Sequence, residues 1–422
     1  MTGISFYLQK IILAFLISVA IAFVTAPFSI KIANVMGIID KPKDARRVHK
    51  NPTPRFGGMS IFLGSMVAMT IPAAMNNKIM IAMLGGFGMY LLGIIDDMYD
   101  IKPIVKFLGQ VAVASGVYAL GIRITFISNY FGAKVTDSHA NVILSAGVAY
   151  LITVLWIVGI TNAVNLMDGL DGLAAGSVAI MSLSLAYIAY IHGSRLGSMP
   201  VCIALIAVAG GCIGFLPYNF SPAKTFMGDG GALYLGYMIA VLSVISPLKR
   251  ATVVGALIPI LTLAVPIFDT LFAMLRRTLR HQSIMHADKG HLHHHLMAAG
   301  FGQRRSVLIM YGIVGIMGIV AVLISRELYK DAFFLFLIAL LYLGIIIVPK
   351  RNKKGIKRII TQDAGELEKE YFTEYLNYER ERRKALREAA KAAAEAALDE
   401  EESGSSQETQ ITDNNRDDRE DR

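Results

Sequence analysis

Charge is scarce in this sequence, and glutamate is almost missing from most of it. Only 17% of the 422 residues are charged, whereas 54% are hydrophobic. A soluble domain carries about 25% charged residues, so an ordinary water-soluble globular class is excluded. Cysteine is equally sparse. Cys202 and Cys212 share one apolar run, which excludes a disulfide framework and reads as two small buried hydrophobes. A cleavable leader is also not expected. The first apolar run, Ile11 to Val24, continues past the usual leader length and is followed by a basic segment, so it reads as an anchor that stays. The net charge of +9 does not point to nucleic acid, because the excess lies in loops beside apolar runs, where it reports membrane orientation.

What the sequence has in abundance is long apolar runs. Stretches such as Val142 to Val158 and Ala332 to Val348 are long enough, with their flanks, to cross a hydrocarbon core of about 30 Å. The expected class is all-α, a polytopic membrane protein with about eleven transmembrane helices. They centre near Phe15, Leu63, Gly88, Val113, Leu151, Leu183, Ala207, Ile239, Leu261, Gly315 and Ala339. An odd number places the termini on opposite sides. With the N-terminus outside, the inner loops hold seven Lys/Arg between Lys31 and Arg55, six between Arg276 and Arg305, and six between Lys350 and Arg358. The positive-inside rule therefore orients the chain N-out and C-in. The transmembrane domain is expected over 1–358, a charged cytoplasmic helix over 359–402 and a disordered polar tail over 403–422.

Up to Lys350 there is one glutamate, Glu327, beside twelve aspartates, and ten of these fall on the inner side: Asp40, Asp44, Asp96, Asp97, Asp100, Asp168, Asp171, Asp229, Asp269 and Asp288. Acidic residues contribute little to orientation, and ionisable groups at membrane depth are costly and functional. Short carboxylates gathered on one face suggest a hard-cation site, because Mg²⁺ takes one or two carboxylates together with phosphate oxygens.

Five clusters carry the chemistry. Gly93 to Asp100 contains adjacent Asp96 and Asp97, which repel unless a cation or proton lies between them. If the helix continues, Asp96 and Asp100 share a face. Lys106, at the start of the next span, is placed to meet a phosphate. In the second cluster Asn162, Asn165, Asp168 and Asp171 recur at spacings of three and can converge on one ligand, with Asp171 also suited to cap the next helix. The third, Phe226-Met-Gly-Asp229-Gly-Gly, places Asp229 where a helix should begin and offers Phe226 as a stacking face for a base. The fourth, Asp288 to His295, is rich in histidine. A zinc site is the obvious alternative there, but no cysteine is near, and Arg276, Arg277, Arg280 and Lys289 fit a diphosphate better. The fifth, His49-Lys50-Asn-Pro-Thr-Pro-Arg55-Phe-Gly-Gly58, sets cations and a stiff proline turn beside the second span. All five fall on the same, basic side.

Together these residues resemble the polyprenyl-phosphate N-acetylhexosamine-1-phosphate transferase family over about Met36 to Gly300. The Pro-Thr-Pro-Arg-Phe-Gly-Gly and Asp-Lys-Gly-His-Leu-His-His strings look like its GlcNAc branch. The resemblance implies Asp96, Asp97 and Asp229 as catalytic residues. It implies a metal, Mg²⁺ with Mn²⁺ as a substitute, on Asp229 and Asn165. It implies substrate binding by Lys106, Asn162, Asp168, Asp171, Phe226, His291, His293, His294 and His295, to which the basic loops add Lys50, Arg276 and Arg277 as candidate substrate-binding cations. The implied reaction moves GlcNAc-1-phosphate from UDP-GlcNAc to undecaprenyl phosphate at the cytoplasmic face of a bacterial inner membrane and releases UMP. The implied partners are the UDP-sugar, undecaprenyl phosphate, membrane lipid and conceivably a second copy in a homodimer, with no nucleic acid. Three rivals stand beside it. A phospho-MurNAc-pentapeptide transferase shares the family. An intramembrane prenyltransferase would use Asp96-Asp97-x-x-Asp100 but needs a second such string, which Asp168-Gly-Leu-Asp171 does not supply. A transporter would place ionisable groups near span centres and repeat its halves, and neither is seen.

Overall fold

The computed structural model describes residues 2–40, 52–128, 141–192, 198–245 and 301–347, with Ile260 and Leu296 as isolated positions. Ten helices lie among them: α1 (Thr2–Met36), α2 (Gly58–Ala73), α3 (Asn77–Tyr99), α4 (Pro103–Ala119), α5 (Ala146–Met167), α6 (Leu173–Ile191), α7 (Met199–Asn219), α8 (Gly228–Ile245), α9 (Gln303–Ser325) and α10 (Tyr329–Ile347). Strand is confined, among the described residues, to two short antiparallel ribbons. One pairs β1 (Ile39–Asp40) with β2 (Thr53–Pro54), and the other pairs β3 (Phe126–Ser128) with β4 (Asn141–Ile143). All ten helices belong to one compact unit, Met1–Val348.

These helices coincide with ten of the eleven expected span centres, and the one near Leu261 lies outside the described residues. Seven are long and apolar enough to cross a membrane: α3, α5, α6, α7, α8, α9 and most of α1. Helices α2 and α4 are apolar but shorter, with 16 and 17 residues. At 1.5 Å per residue each reaches about 24–26 Å, short of a full hydrocarbon core. The structure thus supports a mostly helical protein with seven candidate spans among the described residues, and the count of eleven is not confirmed by them. The charged helix expected over 359–402 and the tail over 403–422 also lie outside the described residues.

Helix starts follow local chemistry. Asn76 caps α3 by accepting the Lys78 N–H at 2.9 Å, and Pro103 opens α4 with the φ a first turn needs. Burial then sorts the helices. The apolar window of α8 is 94% buried, that of α7 78%, and that of α1 only 22%. Helix α8 is therefore the axis of the unit, flanked by α2, α3, α5, α6 and α7. Leu16, Leu84 and Leu155 are among the large apolar side chains left on outward faces, as expected where lipid replaces water.

Close backbone approach lets the end of α8 meet its neighbours. A side chain at Gly93 of α3 would overlap the main chain of Asp229 and Gly230, and one at Gly58 of α2 would overlap Gly231. The segment before α2 is stitched to the segment before α8. Phe226 N–H donates to the Pro54 carbonyl, and Gly57 and Gly58 N–H donate to the Phe226 and Met227 carbonyls, each at 2.8 Å. These contacts bring several helix ends to one place.

Candidate active site

Four helix ends and one loop converge. Asp96 and Asp97 come from the last turn of α3, Lys106 from the first turn of α4, Asn165 from the end of α5, and Asp229 from the first turn of α8. Arg55 comes from the segment between β2 and α2. Lys106 Nζ donates to Asp96 Oδ2 at 2.7 Å and to Asp229 Oδ2 at 2.9 Å. Arg55 Nε lies 3.1 Å from Asp97 Oδ1, and its Nη2 lies 3.1 Å from Asp229 Oδ1. Asn165 Nδ2 donates to Asp229 Oδ1 at 2.9 Å. Three carboxylates thus share two cations at the end of a helical unit, which offsets part of their mutual repulsion.

Accessibility ranks the carboxylates. The side chain of Asp229 is 18% exposed, that of Asp96 9%, and that of Asp97 2%. Arg55 is the most open member at 35%. Burial works against its charge, but Asp229 and Asp97 more than offset this, so its pKa lies above the ordinary value. Asp168, just past the end of α5, adds a fourth carboxyl beside the cluster. Burial pushes it up to about 7, with Arg55 opposing and Asp229, Asp97 and Asp171 reinforcing the rise.

Other expected residues stand elsewhere. Asn162 exchanges amide hydrogen bonds with Gln110 of α4, donating from Nδ2 at 2.6 Å and accepting at 3.3 Å, so its side chain joins α4 to α5 and does not reach the carboxylates. Asp171 does not cap α6. Gly172 occupies that position with φ +80°, and Asp171 Oδ2 instead accepts the Ala223 N–H at 3.1 Å, joining two loops. The helix does not carry Asp100 on with Asp96, because α3 stops at Tyr99 and Asp100 turns left-handed with φ 50° and is exposed. An aspartate tolerates that conformation better than most residues. Phe226 is half-buried beside the cluster. Lys50, Arg276, Arg277, His291, His293, His294 and His295 lie outside the described residues.

Among the described residues no group of three or more His, Cys, Asp or Glu side chains is arranged to hold a metal, so an all-protein cage is absent there. Asp229 offers the most accessible carboxylate, but Lys106, Arg55 and the Asn165 amide N–H occupy its oxygens, so a Mg²⁺ ion held there would displace one of these donors and would complete its shell with the Asn165 carbonyl, substrate phosphate and water.

Comparison with known proteins identifies the family. The profile of Glycosyl transferase family 4 matches residues 79–247. A protein of Bacillus subtilis (strain 168), named a probable undecaprenyl-phosphate N-acetylglucosaminyl 1-phosphate transferase, is 39% identical over 80% of this chain and 91% of its own. The chain belongs to glycosyl transferase family 4. The decaprenyl-phosphate N-acetylglucosaminephosphotransferase of Mycobacterium tuberculosis (strain H37Rv) is 33% identical over 70% of this chain and 77% of its own. A phospho-N-acetylmuramoyl-pentapeptide-transferase of Desulforudis audaxviator is 32% identical over 64% of this chain and 83% of its own. Membership and the seven candidate spans together make this a multi-pass membrane protein. The family 4 match runs from α3 to the end of α8 and so holds every carboxylate of the cluster, whereas Arg55 lies before it.

One residue of the site, Arg55, and one helix-joining residue, Gln110, do not stand out in the sequence as candidates. Arg55 reads in the sequence as one cation of a basic loop, and its place in the Pro-Thr-Pro-Arg-Phe-Gly-Gly string is the local signal that separates it from Lys50. Gln110 was legible in principle, since it stands one helical turn after Lys106, alone among apolar neighbours.

Proposed function

We propose that this protein transfers GlcNAc-1-phosphate from UDP-GlcNAc to undecaprenyl phosphate and releases UMP. The observation that carries the reading is the cluster at the start of α8, where Asp96, Asp229 and Lys106 meet within hydrogen-bond distance at a helix end. The names of the relatives favour the GlcNAc donor over the pentapeptide one, because the 39% match is a GlcNAc transferase and the pentapeptide transferase stands at 32%.

In this reading an oxygen of the lipid phosphate attacks the phosphorus that bears the sugar, and the bond from that phosphorus to the UMP oxygen breaks. Lys106 is held between two carboxylates and presents its ammonium where the phosphates gather, offsetting charge that develops in transfer. Asp96 keeps one oxygen on Lys106 and the other on the Ile101 N–H at 3.1 Å, so its carboxylate is fixed for orienting the lipid phosphate or taking its proton. A carboxylate attacking first to form a phospho-enzyme is the variant of the same chemistry. Mg²⁺, held by Asp229 with Asn165, would neutralise the diphosphate and orient it. The assembly belongs in a bacterial cell membrane with the site facing the cytoplasm, where nucleotide sugars are made, and it serves the first membrane step of a cell-surface polymer.

The test is the purified protein with radiolabelled UDP-GlcNAc, undecaprenyl phosphate and Mg²⁺. The expected outcome is one UMP released per lipid-linked sugar formed, and dependence of both on the divalent ion. Lipid product from UDP-MurNAc-pentapeptide but not from UDP-GlcNAc would replace this donor, and no lipid product from either would remove the reading.

A further inference from the structure

Asp96 and Asp97 are neighbours in sequence, but a helix turns about 100° between them, so they face different partners. The surroundings of Asp97 are complete. Its Oδ1 accepts the main-chain N–H of Asp229 at 2.9 Å and faces Arg55 Nε at 3.1 Å, while its Oδ2 accepts the N–H of Gly230 at 3.0 Å. These two N–H groups belong to the first turn of α8, where a helix has no internal acceptors for them and its dipole favours negative charge. A capping side chain from the preceding residue would normally fill that need. Here the residue is Gly228 at φ +74°, and a side chain there would run into Asp97 Oδ2. The cap is therefore supplied from α3, across the helix interface.

With 2% of its side chain exposed, Asp97 offers no oxygen to a substrate. What it does hold is Asp229, twice over. It binds the main-chain nitrogen of that residue directly. Through Arg55, whose other arm reaches Asp229 Oδ1 at 3.1 Å, it is also tied to the carboxylate. Both the backbone and the side chain of the most exposed carboxylate in the cluster are referenced to one buried group.

We infer that Asp97 is a positioning residue: it caps α8 from α3 and, with Arg55, aims the Asp229 carboxylate, while Asp96 is the member of the pair that meets substrate. This rests on the phosphotransferase reading only in taking Asp229 as the cation-holding carboxylate.

The experiment uses the full-length protein, Mn²⁺ as the probe ion and two readouts besides turnover. Free Mn²⁺ measured by electron paramagnetic resonance gives the ion's affinity, and hydrogen exchange reports on the amides at the start of α8. In Asp97→Asn, one donor loses its acceptor. The Mn²⁺ dissociation constant should rise about 10–100-fold, as for other residues that orient a ligand from behind. Exchange at Asp229 and Gly230 should quicken, and kcat at saturating Mn²⁺ should recover most of the loss. Asp96→Asn should show the converse: near-normal exchange at α8 and kcat lost at any Mn²⁺ concentration. An Asp97→Asn protein that binds Mn²⁺ and protects α8 like the parent, yet turns over no substrate, would make Asp97 a reacting group and overturn the inference. If Asp97→Asn is not recovered folded, Arg55→Lys replaces it. A lysine keeps the charge but replaces the two-armed guanidinium, which meets Asp97 through Nε and Asp229 through Nη2, with one nitrogen, so a weaker Mn²⁺ affinity with kcat retained at saturation is expected, and unchanged affinity overturns the inference. If the parent itself binds no Mn²⁺, the cation assignment of Asp229 falls. The exchange readout then decides Asp97 alone: quickened exchange upholds the cap and unchanged exchange overturns it.

Discussion

Asp229 receives Lys106, Arg55 and Asn165 on its two oxygens, the largest set of side-chain partners of any carboxylate in the cluster. Asp229→Ala should lower UMP release on the order of 10³-fold, read in the same lipid-linked sugar assay, and activity within a few-fold of the parent would remove it from the chemistry. Asp168 carries a second expectation, in pH. Its ordinary value is 3.8 and the folded chain raises it to about 7. Between those values the folded chain holds a proton that the unfolded chain has lost. Its stabilising contribution is therefore complete below 3.8 and is lost as pH climbs through about 7. Thermal unfolding in detergent should show a midpoint that falls across that interval, and Asp168→Asn should flatten this part of the slope. At this scale the sequence was legible wherever a rare residue type marked the spot: the aspartates stood out because glutamate was nearly absent around them. It was illegible where a partner is remote. Arg55 finds Asp97 and Asp229, and Asn162 finds Gln110, only after the helices meet, and no local spacing encodes those pairings.

Among the elements, α8 has the least freedom. Its first turn is crowded by α3 at Gly93 and by α2 at Gly58, and almost all of its apolar window is buried. Gly93→Val should wedge α3 from α8, lowering stability by about 1–3 kcal/mol in a thermal or denaturant titration. Activity should fall further than stability does, because the same wedge moves Asp97 and Asp96 away from Asp229. A variant with normal activity and normal stability would show that the interface yields at no cost. Helix positions could be read from hydropathy because lipid demands continuous apolar surface. Their ends could not, and the shortness of α2 and α4 comes from contacts at the site end, where β2 and the segment before α8 are stitched together and where Pro103 starts α4 next to Lys106.

For the molecule as a whole, the four helix ends and the Arg55 segment meet at one end of the helical unit, while the Asp288 to His295 cluster expected on the same side lies outside the described residues. The side itself is testable, since both native cysteines are buried and give a silent background to impermeant thiol reagents. With an N-out, C-in orientation, a Thr2→Cys variant should label in intact cells. Asp100→Cys, exposed beside the site, should label only after the membrane is opened. The reverse pattern would invert the protein. The span of these contacts along the chain has a consequence for biogenesis. Lys106 reaches Asp229 across 123 residues, and Asp97 reaches the start of α8 across 132. A ribosome therefore delivers Asp97 and Lys106 to the membrane long before Asp229 and the start of α8 exist, with only Arg55 and Asp96 as their earlier partners. Until α8 emerges these charges must be kept hydrated at the bilayer surface, and insertion of α8 is the moment at which they can first be withdrawn from water.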